Sequence, residues 1–125
     1  MTQRALRLVV AGTGTGVGKT HVACALLRML TARGIEAVGL KPVETGVTPS
    51  PELNGGHEPA TLSDAERLRR AGGTFHVKRS PCSFVDPVSP HLAARRVGER
   101  IEVPAIERWV GEHAARVILV ETAGG

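Results

Sequence analysis

Val10-Ala-Gly-Thr-Gly-Thr-Gly-Val-Gly-Lys-Thr20 is a glycine-rich stretch that sets the fold class of this chain. The apolar run Leu6–Ala11 leads into it and predicts a buried strand, and the segment His21–Leu30 after it predicts a helix. A strand, a glycine-rich loop, Gly-Lys-Thr and a helix, in that order, are typical of a phosphate-binding loop (P-loop). Glycine lets backbone N–H groups turn toward a phosphate, and the first turn of a helix adds unpaired N–H groups and a positive dipole end. The sequence therefore predicts a site for a nucleoside triphosphate.

The loop is longer than the strict P-loop pattern. G-x-x-x-x-G-K-[ST] needs a glycine at position 13, where this chain has Thr13, and Gly12 comes one residue too early. Gly18, Lys19 and Thr20 still fall where the chemistry needs them. The Lys19 ammonium can reach the outer phosphates, and the Thr20 hydroxyl can ligate Mg²⁺. The alternative is a glycine-rich turn that only joins a strand to a helix, and we favour the nucleotide site.

The composition indicates one modest globular domain, which we expect to span residues 1–125 as a single P-loop domain. The apolar fraction of 42% suffices for a core. No apolar run is long enough to span a bilayer, and the N-terminus lacks the apolar segment of a signal peptide. We therefore expect a cytoplasmic protein without a membrane partner. Cys24 and Cys82 lie far apart in the sequence, which favours reduced thiols over a disulfide or a metal site.

The net charge of +4 comes mostly from scattered arginines, and aromatic residues make up only 2% of the chain. Because there is no basic block and almost no aromatic side chain for base stacking, no nucleic-acid partner is expected. The positive charge favours anionic small molecules such as nucleotides.

Beyond the P-loop, strand-like and helix-like segments alternate. This order predicts an α/β fold of the P-loop NTPase type, a doubly wound, mostly parallel sheet with helices on both faces. Three strands are evident, and the chain stops in a glycine turn directly after the third. We therefore expect the N-terminal half of a larger domain, truncated after its third strand. The expected segments are a helix over 19–33, a strand at 37–40, a loop over 44–59, a helix over 61–71, an irregular stretch over 74–90, a short helix over 91–96, a helix over 103–115 and a strand over 116–121.

Three further residues carry candidate chemistry. Glu121 closes an apolar strand, and in P-loop enzymes the strand beside the P-loop often ends in a carboxylate that holds Mg²⁺. Lys41 follows the second strand, so Lys41, Lys19 and Glu121 are expected on one rim, outside the carboxyl ends of the strands. A second cation there would stabilise charge on a transferred phosphoryl group. Asp64 fits the capping-box pattern in Thr61-Leu-Ser-Asp64, so spacing alone favours a helix cap.

Five segments carry a family resemblance: Gly12–Thr20, Lys41–Gly46, Ser63–Ala65, Asp86–Ala93 and Val120–Gly125. In the same order, they resemble the longer P-loop G-T-D-T-x-V-G-K-T and the motifs K-P-V-x-[ST]-G, S-D-A, P-x-S-P-H and V-E-G-A-G-G of dethiobiotin synthetases. One such motif would be weak. The ordered set, at similar spacing across nearly the whole chain, makes the resemblance specific.

The resemblance implies a ligase that uses ATP and CO₂ to close a cyclic urea on 7,8-diaminononanoate. The diamine forms a carbamate, ATP phosphorylates the carbamate to a mixed anhydride, and the second amine closes the ring as phosphate leaves. ATP and Mg²⁺ are the implied cofactors, and a homodimer is the implied assembly. The family's second half would supply adenine recognition and part of the substrate site.

The resemblance also implies roles for individual residues. Lys41 would be the catalytic lysine that stabilises carbamate and phosphoryl charge, Lys19 would bind the phosphates, and Thr45 would contact the diamine. This favours a metal role for Asp64 beside, or instead of, a helix cap. The implied metal ligands are Thr20, Asp64 and Glu121, and the implied nucleotide contacts are Thr15, Gly16, Val17, Gly18, Lys19, Thr20, His21, Asp64, Glu121, Thr122, Ala123 and Gly124.

Two positions depart from the family pattern. Gly14 stands where the family has Asp, and Thr122 stands where it has Gly, which is costly if that position needs a positive φ or a close approach to phosphate. Three other functions stay open. A cobyrinate-type amidotransferase has a similar loop, although Lys41–Gly46 favours the diamine enzyme. A partition ATPase usually carries an extra lysine that residues 12–16 lack. A non-catalytic nucleotide-binding remnant is favoured by Thr122 and by the missing half.

Overall fold

The computed structural model describes residues 4–47, 62–73 and 76–124. Strands and helices alternate along these residues, as the sequence predicts, and a short pair of strands is added that the sequence does not indicate. The elements are β1 (Leu6–Val10), α1 (Lys19–Ala32), β2 (Ala37–Leu40), β3 (Val43–Glu44), α2 (Asp64–Gly72), β4 (Cys82–Ser83), α3 (Pro90–Arg96), α4 (Val103–Gly111) and β5 (Val117–Glu121). The loop predicted over 44–59 lies largely outside the described residues.

β5 lies at the centre of a three-stranded parallel sheet with the strand order β1-β5-β2. The register pairs Val10 with Glu121 and Leu40 with Val120, so the three carboxyl ends meet at one edge of the sheet. Residues 117–119 are buried because both faces of β5 are covered. A continuous apolar run of this kind is typical of a central parallel strand. The predicted parallel sheet is confirmed.

Helices cover both faces of this sheet, as predicted. α1 and α2 pack on the face that carries Val117 and Leu119, whereas α4 packs through Trp109 on the face that carries Ile118. The first core contains Ala23, Cys24, Leu27, Ala37, Leu68, Ala71, Val117 and Leu119, and the second contains Val38, Leu40, Trp109 and Ile118. Among the described helices, none combines the length and the apolar character needed to cross a membrane.

Both cysteines are buried free thiols, in agreement with the sequence prediction. Burial raises the pKa of Cys24 and the pKa of Cys82. A raised pKa keeps a thiol protonated and unreactive. Cys24 and Cys82 therefore serve as small core residues.

Gly39 allows α1 and α2 to approach β2 closely. A Cβ atom at this position would lie 2.5 Å from Leu27 Cδ1 and 2.9 Å from Leu68 Cβ. Both neighbours are fully buried, so neither side chain has room to move away. The absence of a side chain at residue 39 is therefore a packing requirement of this face.

The predicted start of the second helix is wrong. α2 begins at Asp64, and its N-cap is Ser63, whose Oγ accepts a hydrogen bond of 3.2 Å from the Glu66 N–H. The capping pattern that operates is Ser63-Asp-Ala-Glu66, which overlaps the one expected at 61–64. Asp64 is thus the first helical residue and not the carboxylate of a capping box. Thr61 lies outside the described residues.

Two further sequence predictions need correction. α4 ends at Gly111 instead of 115, and His113 lies beyond its end. The His113 Nε2 accepts a 3.0 Å hydrogen bond from the Lys78 N–H, so the imidazole contacts another segment of the chain. The His113 Nδ1 therefore carries the proton, which it donates to Trp109 O at 2.8 Å. The stretch 74–90 is not wholly irregular, because β4 pairs in parallel with β3. The short α3 is confirmed at Pro90–Arg96.

Candidate functional site

The P-loop joins β1 to α1 at the carboxyl edge of the sheet. Gly18 is the N-cap residue of α1, with φ 99°, a conformation that side chains rarely adopt. Because Gly18 has no side chain, it offers no side-chain acceptor to the first N–H groups of α1. These groups therefore lack a side-chain cap from Gly18. Lys19 is mostly buried, and its ammonium donates to Gly14 O at 2.8 Å and to Gly124 O at 2.6 Å. Lys19 therefore ties the P-loop to the segment that follows β5.

Glu121 is the buried carboxylate at the end of β5, with only 1% of its surface exposed. Its Oε1 accepts hydrogen bonds from the Thr20 hydroxyl at 2.8 Å and from the Lys41 ammonium at 3.0 Å. Its Oε2 is buried and has no hydrogen-bond partner among the described residues. A buried charged oxygen without a partner is costly, so Oε2 is suited to receive a cation or a polar ligand.

Lys41 follows β2 and is 5% exposed. Besides Glu121, its ammonium donates to Thr122 O at 3.1 Å, and it lies 3.5 Å from Asp64 Oδ2. An ammonium has three N–H donors, of which two are used in hydrogen bonds and the third is available beside Asp64. Residues from β2, α2 and β5 thus bring one buried cation and two carboxylates together.

Glu44 is a buried residue of this region to which sequence reasoning gave no role. Its Oε1 accepts a 2.6 Å hydrogen bond from the Asp64 N–H, and its Oε2 accepts a 3.3 Å hydrogen bond from the Ala65 N–H. Burial raises the pKa of the Glu44 carboxyl, and these two hydrogen bonds oppose that rise. No periodicity or spacing signals this contact, because it depends on where α2 begins in space.

A cleft of about 300 Å³ lies between the P-loop, Lys41 and the start of α2. It brings together ten residues singled out in the sequence and adds Arg67, whose guanidinium lies 3.8 Å from Asp64 Oδ1. Val17, Thr45, Thr122 and Ala123 are not among its lining residues. The ten are Thr15, Gly16, Gly18, Lys19, Thr20, His21, Lys41, Asp64, Glu121 and Gly124.

The two departures from the family pattern cause no strain. No residue other than glycine has a positive φ in the described part of the chain, and the Thr122 N–H donates to Val10 O at 3.0 Å, as in a continued strand pair. A Cβ atom at Gly14 would meet no atom within 4 Å. Thr122 is therefore compatible with this backbone, and so would be an Asp at position 14.

The cleft fits a Mg²⁺ ion that arrives with a nucleotide. Thr20, Asp64 and Glu121 offer hydroxyl and carboxylate oxygens, the hard ligands that Mg²⁺ prefers, and Glu121 Oε2 lacks another partner among the described residues. The described part of the chain contains no cluster of three or more His, Cys, Asp or Glu side chains suited to a metal. Mg²⁺ typically takes one or two protein carboxylates and completes its shell with substrate phosphates and water.

Comparison with known proteins identifies relatives of this chain. The chain is 41% identical over 122 residues to the ATP-dependent dethiobiotin synthetase BioD of Anaeromyxobacter sp. (strain K), with 94% of this chain and 50% of that protein covered. It is 39% identical over 121 residues to the protein of the same name from Nitrosospira multiformis, with 93% and 49% covered. The resemblance inferred from the five motifs is confirmed, and the chain spans about half the length of these relatives. A family model described as an AAA domain matches residues 6–125, and the chain belongs to this AAA domain family.

Proposed function

We propose that this chain is the N-terminal half of an ATP-dependent dethiobiotin synthetase, which forms the ureido ring of dethiobiotin from 7,8-diaminononanoate and CO₂ with release of ADP and phosphate. The observation that carries the proposal is the buried Lys41 ammonium, 3.0 Å from Glu121 Oε1, in the same cleft as the P-loop. The five ordered motifs and the similarity to proteins named dethiobiotin synthetase support it. Cytoplasmic location and a homodimer belong to the same proposal.

The P-loop and Lys19 bind the phosphates of ATP in this proposal. The first N–H groups of α1 receive no side-chain cap from Gly18, and the Lys19 ammonium donates to Gly14 O and Gly124 O. Thr20, Asp64 and Glu121 hold Mg²⁺, which supplies charge neutralisation for the β- and γ-phosphates when bound. His21 lines the same cleft and is a further nucleotide contact in this proposal. Thr122 and Ala123 are also proposed nucleotide contacts, and they lie in sequence between Glu121 and Gly124, which line the cleft.

Lys41 stabilises the charge that develops on the carbamate and on the transferred phosphoryl group. Its ammonium keeps two hydrogen bonds, to Glu121 and Thr122, and gives its third N–H to a substrate oxygen in place of Asp64. A fixed cation in a site shielded from water lowers the barrier more than the same charge in solution. Thr45 contacts the diamine.

Phosphate release that depends on both diamine and CO₂ tests this proposal in the complete protein. We expect Lys41→Ala to lower the turnover roughly 10²- to 10³-fold, because it removes a charge that acts in the transition state. Arg33→Ala is the matched control, since Arg33 is exposed and follows the end of α1 opposite the P-loop, and it should retain full turnover. Full turnover of Lys41→Ala would contradict the role of Lys41. Glutamine-dependent hydrolysis without any response to the diamine would favour the amidotransferase instead.

A further inference from the structure

Glu44 holds the first turn of α2 from outside the helix. Both of its carboxylate oxygens accept backbone N–H groups, Oε1 from Asp64 and Oε2 from Ala65. The next N–H, that of Glu66, is already satisfied by the Ser63 hydroxyl. Two different side chains therefore cap the N-terminus of one helix. Glu44 caps the N–H groups of Asp64 and Ala65, and Ser63 caps that of Glu66.

Glu44 and Lys41 belong to one short segment and hold Asp64 at two points. Lys41 lies 3.5 Å from the Asp64 carboxylate, and Glu44 accepts a hydrogen bond of 2.6 Å from the Asp64 backbone. The segment after β2 thus determines where the first residue of α2 lies relative to the cleft. A shift of this residue would move its carboxylate relative to Glu121 and Thr20.

Glu44 is a buried cap, and its two hydrogen bonds compensate the burial of its carboxylate. Glu44 is only 6% exposed, and burial of a charged group is unfavourable unless it is compensated. Its charge also opposes the nearby charge of Asp64, and the Lys41 ammonium, 3.5 Å from Asp64 Oδ2, acts against that repulsion. A divalent cation bound at Asp64 would relieve that repulsion. Glu44 therefore fixes the Asp64 backbone from a buried position, beside the cleft that Asp64 lines.

We infer that Glu44 is a positioning residue, which orients Asp64 for the divalent cation that binds with the nucleotide. The inference rests on the proposed function, because it needs the nucleotide and metal cleft. Residues that orient metal ligands typically change metal affinity about 10- to 100-fold when they are removed. A purely structural cap would instead change stability and leave metal affinity unchanged.

A measurement of Mn²⁺ affinity separates a positioning residue from a purely structural cap. The complete protein is titrated with Mn²⁺ in the presence of a non-hydrolysable ATP analogue, and free Mn²⁺ is measured by its electron paramagnetic resonance signal. We expect Glu44→Ala to weaken Mn²⁺ binding roughly ten-fold. Glu44→Gln keeps one acceptor oxygen and should fall between Glu44→Ala and the wild type. Analogue affinity in EDTA should not change, since the P-loop is untouched. Glu44→Gln alone carries the test if Glu44→Ala does not fold.

Ser63→Ala is the matched control, because it removes the other cap of the same helix end and leaves the Asp64 N–H bound. It should lower the unfolding midpoint and leave Mn²⁺ affinity unchanged. Glu44→Ala added to Asp64→Ala should cause no further loss, because Glu44 acts through Asp64. Wild-type Mn²⁺ affinity in both Glu44 variants, or an equal loss in Ser63→Ala, would overturn the inference alone. Failure of the wild type to bind Mn²⁺ with the analogue would overturn the proposed function and the inference with it.

Discussion

At the scale of single residues, Thr122 tests whether a departure from the family motif harms the site. Its backbone donates to Val10 O, and its hydroxyl donates to the same oxygen at 3.3 Å. Thr122→Gly restores the family residue. It removes the hydrogen bond from the hydroxyl and raises the conformational entropy of the unfolded chain. We expect it to lower the free energy of unfolding by about 1 kcal/mol, measured by urea denaturation. A gain in stability would show that threonine is strained at this position.

Gly39 provides a second test, because its missing side chain is a packing requirement. Gly39→Ala would place a Cβ atom 2.5 Å from Leu27 Cδ1 and 2.9 Å from Leu68 Cβ. We expect a loss of about 1–3 kcal/mol in the free energy of unfolding, because overpacking displaces buried neighbours. Gly111→Ala is the matched control: it lies in α4 with nothing within 4 Å of its Cβ position and should be neutral or stabilising. Equal effects of the two substitutions would contradict the packing argument.

At the scale of elements, α2 carries a charge network that predicts a pH dependence. Glu66 accepts hydrogen bonds from Arg69 and Arg70, which lower the pKa of the Glu66 carboxyl from 4.5 to about 2. A lowered pKa in the folded state means that the network stabilises the protein above pH 4.5, and that this stability is lost as the pH falls toward 2. Because these groups are partly exposed, we expect about 1 kcal/mol.

Glu66→Gln is the variant that isolates this network. Thermal unfolding of the wild type and of Glu66→Gln should differ at pH 7, and the difference should shrink steadily between pH 4.5 and the lowest pH at which the protein still folds. The glutamine variant cannot change its charge, so any pH dependence common to both proteins arises elsewhere. A difference that grows on acidification would contradict the sign of the pKa shift.

The elements also show how far a single sequence leads. The bounds of β1, β2 and β5 are predicted to within a residue because their side chains are mostly apolar. The expectation that β1 is buried is wrong: β1 is an edge strand of the sheet, and its Leu6 and Val9 are exposed. β3 and β4 have two residues each, too few for any periodicity. The sequence predicts too early a start for α2 because two capping patterns overlap, at 61–64 and at 63–66. The end of α4 was placed too late because His113 bonds to a distant backbone group, a contact that local sequence does not encode.

Some residues of the candidate site can be predicted from the sequence and others cannot. Lys19, Lys41 and Glu121 were expected on one rim because parallel strands bring their carboxyl ends together, and the cleft contains all three. Glu44 could not be predicted, because its partners are backbone groups of another element. Residues whose place follows from topology are accessible to sequence reasoning, and residues whose role follows from a tertiary contact are not.

At the scale of the whole molecule, the charges in the cleft predict that nucleotide binding depends on a divalent cation. Two carboxylates, Asp64 and Glu121, lie beside the P-loop, and Lys41 is shared between them. Their charges oppose those of the ATP phosphates, and a divalent cation bound beside them would remove that opposition. We therefore expect Mg²⁺ and ATP together to raise the unfolding midpoint of the complete protein much more than ATP with EDTA. A hundred-fold excess over Kd corresponds to about 2.7 kcal/mol of stabilisation.

Two variants locate that effect in the cleft. Lys19→Ala should remove the shift under both conditions, because it removes the P-loop cation. Glu121→Gln should give a shift in EDTA at least as large as that of the wild type, because an amide does not repel phosphate. It should reduce the part that Mg²⁺ adds, because an amide binds Mg²⁺ less well than a carboxylate does. Circular dichroism during heating measures each midpoint. Equal shifts with and without Mg²⁺ in the wild type would mean that Glu121 and Asp64 do not couple metal to nucleotide. Glu121 Oε2, which has no hydrogen-bond partner among the described residues, would then require another ligand.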